Sequence, residues 1–217
     1  QAAQRGIKII VIDSDVNSSQ VSCRIGTNNL QAGIKAAEAA LATDDEELYI
    51  GIVNYDVNSA NGQQRELGFR QTVEQDPRVK NITTINVLST TEDARAGAKE
   101  MLLSDSRINV VVTFNEWTSL GVGWAIRDLN RADRIQVVAF DSNVVSVGML
   151  ETGEVDALIV QNPYAMGYLG VETAANLMNG QTGGPSVVDT ATTIVTRENM
   201  YEPESQKILF SFEEEGY

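Results

Sequence analysis

The feature that most limits what this chain can fold into is a series of short runs in which almost every residue is apolar. Longer stretches with a helical period separate them. The runs are Ile7–Ile12 (IKIIVI), Leu48–Val53 (LYIGIV), Ile82–Leu88, Ile108–Phe114 (INVVVTF), Ile135–Phe140 (IQVVAF) and Val155–Val160 (VDALIV). A strand covered on both faces is apolar at successive residues, whereas a strand with one wet face alternates. Between the runs, Leu30, Ile34, Ala37 and Leu41 recur on one face of a helix. Leu67, Phe69 and Val73 mark a second helix, within 62–75. Ala94, Ala98, Met101 and Leu102 mark a third, and Trp117, Leu120, Trp124 and Leu129 a fourth. Met166, Leu169, Thr173 and Leu177 mark a fifth, stopped by Asn179-Gly180. Strand alternating with helix predicts βαβ units, hence an α/β fold with doubly wound parallel sheets.

Composition removes whole classes of function. The chain of 217 residues has Lys+Arg 16 against Asp+Glu 30, a net charge of −14. Nucleic acid is therefore not an expected direct partner, because binding phosphate requires a positive face. There is no histidine, which removes histidine-based triads and histidine metal ligands. Cys23 is the only cysteine, so neither an intrachain disulfide nor a cysteine zinc site can form. No metal and no cofactor is expected. No apolar run approaches the roughly 18–20 residues of a membrane span. The acidic clusters Asp44–Glu47 and Glu213–Glu215 read as a solvated loop and tail.

The residue closing each run carries the functional signal. Asp13, Asn54, Thr90 (after Ser89), Asn115, Asp141 and Gln161 follow successive runs. In open parallel sheets ligands bind outside the carboxyl ends of the strands. Acids and amides there suit a ligand covered in hydroxyls, since each hydroxyl both donates and accepts. The competing reading is that Asp, Asn and Thr cap the helices that follow. Enzyme signatures are missing. Gly121-Val122-Gly123 follows a strand but lacks the third glycine of a dinucleotide loop and reads as close helix packing. Ser14 and Ser119 have no histidine to activate them. No enzyme activity is expected.

The ordered blocks Gly6–Asp13 (GIKIIVID), Ile25–Asn29, Gln64–Phe69 (QRELGF), Thr113–Glu116, Val138–Asp141 and Gln161–Pro163 resemble the type I periplasmic binding proteins. Within that family the chain is most similar to the ribose-type sugar-binding proteins of ABC transporters. The resemblance runs to Val195–Asn199. It implies two doubly wound α/β lobes clamping a sugar in a cleft. The family's sugar-binding residues fall on Asp13, Arg65, Asn115, Asp141 and Gln161. Thr90 stands where an aromatic often lies, and Ser14 where some ribose binders carry an arginine. Trp117 has two readings: stacking on a pyranose C–H face, or core packing, which is preferred.

By the same resemblance the first lobe is incomplete, because roughly the first quarter of a family member has no counterpart. The expected division is 1–27 with 162–190 as the partial first lobe, 28–161 with 191–203 as the second, and 204–217 as a C-terminal tail. Self-association through an exposed strand edge, or pairing with the missing N-terminal segment, is expected. The implied partners are a sugar and either an ABC permease or a sensor kinase, in a periplasmic or cell-surface, bacterial setting. Alternatives that remain open are the effector-binding core of a lac repressor-family regulator and the sugar-sensing module of a histidine kinase.

Overall fold

A computed structural model of the chain describes residues 1–181 and 183–210. After a short 3-10 turn the elements are β1 (Ile10–Ile12), β2 (Cys23–Thr27), α1 (Asn29–Leu41), β3 (Leu48–Asn54), α2 (Ala60–Val73), β4 (Val79–Asn86), α3 (Thr91–Ser104), β5 (Val110–Thr113), α4 (Glu116–Leu129), β6 (Gln136–Phe140), α5 (Val144–Thr152), β7 (Ala157–Val160), α6 (Pro163–Met178), β8 (Val187–Thr190), β9 (Thr193–Thr196) and α7 (Pro203–Leu209). They divide into two compact units. The first is Gln1–Asn28 with Gln161–Thr192, and the second is Asn29–Val160 with Thr193–Tyr217.

The second unit is a six-stranded sheet in the order β4-β3-β5-β6-β7-β9. The first five strands are mutually parallel, and β9 pairs antiparallel with β7. The runs at 48–53, 108–114 and 135–140 become the consecutive inner strands β3, β5 and β6. Their double-sided apolarity is explained by a core on each face of the sheet. On one face Phe69, Phe114 and Phe140 meet edge to face, with centroids 6.0 and 5.7 Å apart, beneath the alanine-rich side of α1. On the other, Leu102, Leu120, Ile126, Leu150 and Leu158 pack together. Gly121 lies where α4 crosses α3. A Cβ there would stand 2.5 Å from Ala94 Cβ and 2.6 Å from the Thr91 carbonyl oxygen, so the glycine serves close packing.

The first unit is a parallel three-stranded sheet, β1-β2-β8. Met166 of α6 is buried with Cys23 and Ile25, and Leu169, Ile10 and Val188 pack around them. The opposite side of α6 leaves Tyr164, Tyr168, Val171 and Met178 exposed. The run at 7–12 supplies the edge strand β1 of this sheet, in keeping with the exposed strand edge expected of the first lobe. It is shorter and wetter than its apolar run suggests: only 10–12 are strand, and Ile7 and Ile12 are at least half exposed.

Three strands and two helices depart from the sequence reading. In β2 (CRIGT) a charged side chain interrupts the apolar run, and β8 and β9 are short with mixed polarity. Helix α5 is apolar around most of its circumference, so no helical period marks it. The stretch from 204 on, expected to be a tail, opens in the helix Pro203–Leu209, whose Leu209 joins the second unit's core. The acidic stretch Glu213–Glu215 lies outside the described residues.

Two carboxylates of the second unit give opposite pH dependences. Asp156 accepts the Val137 N–H at 2.8 Å, and burial pushes its carboxyl above the usual range. A raised folded-state pKa means that folding disfavours the ionised form, so this contribution improves as pH falls through the raised value toward the ordinary range. Asp156→Asn retains an acceptor for Val137 without the buried charge and is expected to raise the melting temperature at pH 7. A lower melt would show instead that the 3.7 Å pairing with Arg197 governs. Asp128 is held at about 2 by Arg95 and then Lys99. Its contribution is present above the ordinary carboxylate value and is lost as pH falls from about 4 toward 2.

Candidate functional site

The parallel strands of the second unit share one carboxyl edge, and the candidate residues there are held in different ways. Asn54 closes β3 but turns inward: it is fully buried, and its Nδ2 donates to Glu66 Oε2 at 2.6 Å. It anchors α2 from below. Arg65, one turn into α2, is 2% exposed. Its Nε donates to Asn29 Oδ1 at 2.9 Å and one Nη to the Phe114 carbonyl at 2.6 Å, while its guanidinium carbon lies 4.8 Å from the centroid of the Phe140 ring. The cation is thereby fixed at the ends of β5 and β6. Close passage of α1 and α2 sets its position. A Cβ on Gly33 would lie 2.0 Å from the Arg65 carbonyl oxygen, and one on Gly68 would lie 2.1 Å from that of Leu30.

Asn115 follows β5 and caps α4. Its Oδ1 accepts from Thr118 N at 3.0 Å and Thr118 Oγ1 at 2.7 Å, and its Nδ2 donates to Ser89 Oγ at 2.7 Å. With both oxygen lone pairs engaged, the amide can offer a ligand one remaining N–H, as a donor only. Thr90 is likewise a cap: its Oγ1 accepts the Asp93 N–H at 3.2 Å at the start of α3. Trp117 is 50% exposed in the first turn of α4, which corrects the preferred core-packing reading. That side chain is open to contact from outside.

Asp13 in the first unit and Asp141 in the second occupy equivalent local settings. Each follows a parallel strand and precedes a serine, in Ile12-Asp13-Ser14 and Phe140-Asp141-Ser142. Each has left-handed backbone, with φ of 62° and 67°. The Asp13 N–H donates to the Ile25 carbonyl at 2.9 Å and the Asp141 N–H to the Ile159 carbonyl at 3.0 Å, each on the neighbouring strand. Left-handed non-glycine residues cost about 1–3 kcal/mol and concentrate at functional sites. Gln161, the first residue after β7, belongs to the first unit, where its Oε1 accepts from the buried Thr27 hydroxyl at 2.7 Å. In the second unit the structure thus brings Arg65, Asn115 and Asp141 to one sheet edge. Asp13 and Gln161 lie in the first unit, and Thr90 is engaged as a cap.

Two residues escaped the sequence reading. Arg24 of β2 donates to the Thr27 carbonyl at 3.1 Å and stands 3.8 Å from Asp15 and 3.5 Å from Asp189, close to Asp13. A lone arginine within a short strand was its only signal. Ser119 was read only as a nucleophile without a base, yet it is buried where β5 and β6 end. Chemically the residues at the two edges offer carboxylate acceptors, a fixed guanidinium and amide N–H donors.

The chain is similar to known binding proteins. A family model described as "Periplasmic binding protein domain" matches residues 1–182. The D-ribose/D-allose-binding protein of Pseudomonas aeruginosa is 26% identical over 208 residues, covering 90% of this chain and 64% of that protein. The ribose import binding protein RbsB of Haemophilus influenzae is 25% identical, covering 83% of this chain and 61% of that protein. The chain thus spans a little under two thirds of the length of these relatives. Among solved structures, a carbohydrate transporter solute-binding protein of Agrobacterium radiobacter, in complex with D-arabinose, superposes with a TM-score of 0.90 at 29% identity. It covers 95% of this chain and 72% of that one. A sugar-binding protein of a Bacillus halodurans ABC transporter gives 0.86 at 28% identity, covering 92% and 72%. With the family model matching most of its residues, and with parallel α/β units carrying polar groups at their carboxyl edges, the chain belongs to the periplasmic binding protein domain family.

Proposed function

We propose that the protein is the solute-binding component of a sugar ABC transporter, that its two units are the lobes, and that its ligand is a monosaccharide or similar polyhydroxylated molecule. The observation that carries this reading is the matched pair Asp13 and Asp141, one aspartate per unit, each held in left-handed backbone at the end of a parallel strand. Such residues place an acceptor outside the sheet, where a hydroxyl-rich ligand needs it. Arg65 and Asn115 supply the complementary donors. The ligands named for relatives, ribose, allose and D-arabinose, belong to the same chemical class. Capture without reaction fits the donor and acceptor set. A membrane permease is the partner such a protein delivers to, and an extracytoplasmic bacterial compartment is where it works. Among the described residues no helix is long and apolar enough to cross a membrane.

A thermal-shift panel of D-ribose, D-arabinose, D-allose and D-fucose, with free amino acids as controls, tests the reading. A ligand at 100 times its Kd stabilises the folded protein by about 2.7 kcal/mol. For a chain of this size that is an upward shift of about 5–11 °C. Binding by calorimetry should follow for the sugars that shift the melt. A folded protein that responds to no sugar at millimolar concentration sinks the proposal.

A further inference from the structure

We infer that Ser119 is a positioning residue whose hydroxyl sets the spacing between Asn115 and Asp141 and so the affinity of the second unit for its ligand. The inference rests on the sugar-binding reading above. Ser119 sits on α4, 1% exposed, one turn after Asn115. Its Oγ accepts the Phe140 N–H at 2.9 Å and lies 2.7 Å from Thr113 Oγ1, 2.7 Å from the Asn115 carbonyl and 3.0 Å from the Phe140 carbonyl. A hydroxyl has one proton and two lone pairs. With Phe140 N–H and the Thr113 hydroxyl as donors, the Ser119 proton goes to a carbonyl, and every valence of the group is used.

The position explains why it matters. The ladder between β5 and β6 ends at Val112 and Val138. Two residues further along β6, the Phe140 N–H finds a serine oxygen rather than a β5 carbonyl. One side chain therefore replaces the missing rung. It ties the residue before Asp141 both to the carbonyl of Asn115 and to the last residue of β5. Asp141 is also held from β7, through its N–H to the Ile159 carbonyl. The backbone at Asp141 is thus fixed from both sides, and removing the serine oxygen frees one side only.

Titration calorimetry of the whole chain, with the monosaccharide that shifts the melt most, tests this well below the melting temperature, where loss of stability leaves the folded fraction unchanged. Ser119→Ala is expected to weaken binding at least fivefold, Ser119→Thr to stay within twofold of the natural protein, and Thr113→Val, which removes one donor, to stay within threefold. Backbone amide shifts of Asn115 and Asp141 should move in Ser119→Ala and not in Thr113→Val. If Ser119→Ala does not fold, Ser119→Cys takes its place with the same fivefold threshold. Affinity within fivefold of the natural protein together with unmoved amides overturns the inference. If the natural protein binds no sugar, the functional reading fails separately, and the amide shifts alone decide whether Ser119 couples the two loops.

Discussion

Gly33→Ala is expected to lower the unfolding free energy by about 2 kcal/mol, although alanine is the better helix former. Replacing a helical glycine gains about 1 kcal/mol in propensity. Against that, the new Cβ would sit 2.0 Å from the backbone oxygen of Arg65, which no side-chain rotation can relieve. Helices α1 and α2 must separate, and overpacking of this kind costs about 3 kcal/mol at the upper end of its usual range. The difference leaves the variant destabilised, which for a chain of this size lowers the melting temperature by about 4–8 °C. Gly68→Ala meets the carbonyl of Leu30 at 2.1 Å and should behave alike. The double variant should lose less than the sum, because helices already parted by one methyl have room for the other. A melt of Gly33→Ala at or above that of the natural protein would show that the crossing slides freely. The same separation drags Arg65 from the Phe114 carbonyl, so sugar affinity should fall with stability.

At Asp141 binding and stability are expected to part. Both Asp141→Ala and Asp141→Gly remove an acceptor whose charged hydrogen bonds are worth about 1.5–3 kcal/mol each, so both should weaken sugar binding about tenfold to hundredfold. Their folding should differ. Alanine in left-handed backbone costs about 1–2 kcal/mol, a cost glycine avoids. Asp141→Gly should therefore melt above Asp141→Ala without ligand, while the two bind equally poorly. Retained affinity in either variant removes Asp141 from the ligand site. A glycine variant melting below the alanine one refutes the strain argument.

The sequence revealed the layered plan of the second unit because its inner strands are apolar on both faces, as in Ile50, Ile52, Val110 and Val112, where a strand wet on one side would alternate. It concealed β2, where Arg24 breaks the run, and α5, whose Val144–Thr152 is apolar on too many sides to show a period. The candidate site was legible as a list of strand-terminal residues but not as a set of roles. Asp13 and Asp141 could be named, whereas their left-handed backbone is visible only in three dimensions. Thr90 and Asn115 carry the side chains that cap helices equally well, and the structure shows both doing so. Trp117 could be placed on a helix, but which way its face turned depended on tertiary packing. Ser119 gave no sign, because a hydroxyl that replaces a sheet rung looks like any serine.

The way the second unit closes also sets an order of events on the ribosome. Its sheet is laid down strand by strand as far as Val160, but the strand that pairs with the outer side of β7 is Thr193–Thr196. Until that segment emerges, Ala-Leu-Ile-Val of β7 presents an unpaired apolar edge, the kind that recruits other chains. At about 5–20 residues per second, the stretch from Val160 to Thr196 takes about 2–7 s to synthesise. The first unit waits over much of the same interval, since β2 gains its second neighbour only when Val187–Thr190 has been made. Neither described sheet has all its strands before Val187–Thr190 and Thr193–Thr196 have been made, so a nascent protein of this design passes through a period when a chaperone or a cellular export factor has an open strand to hold.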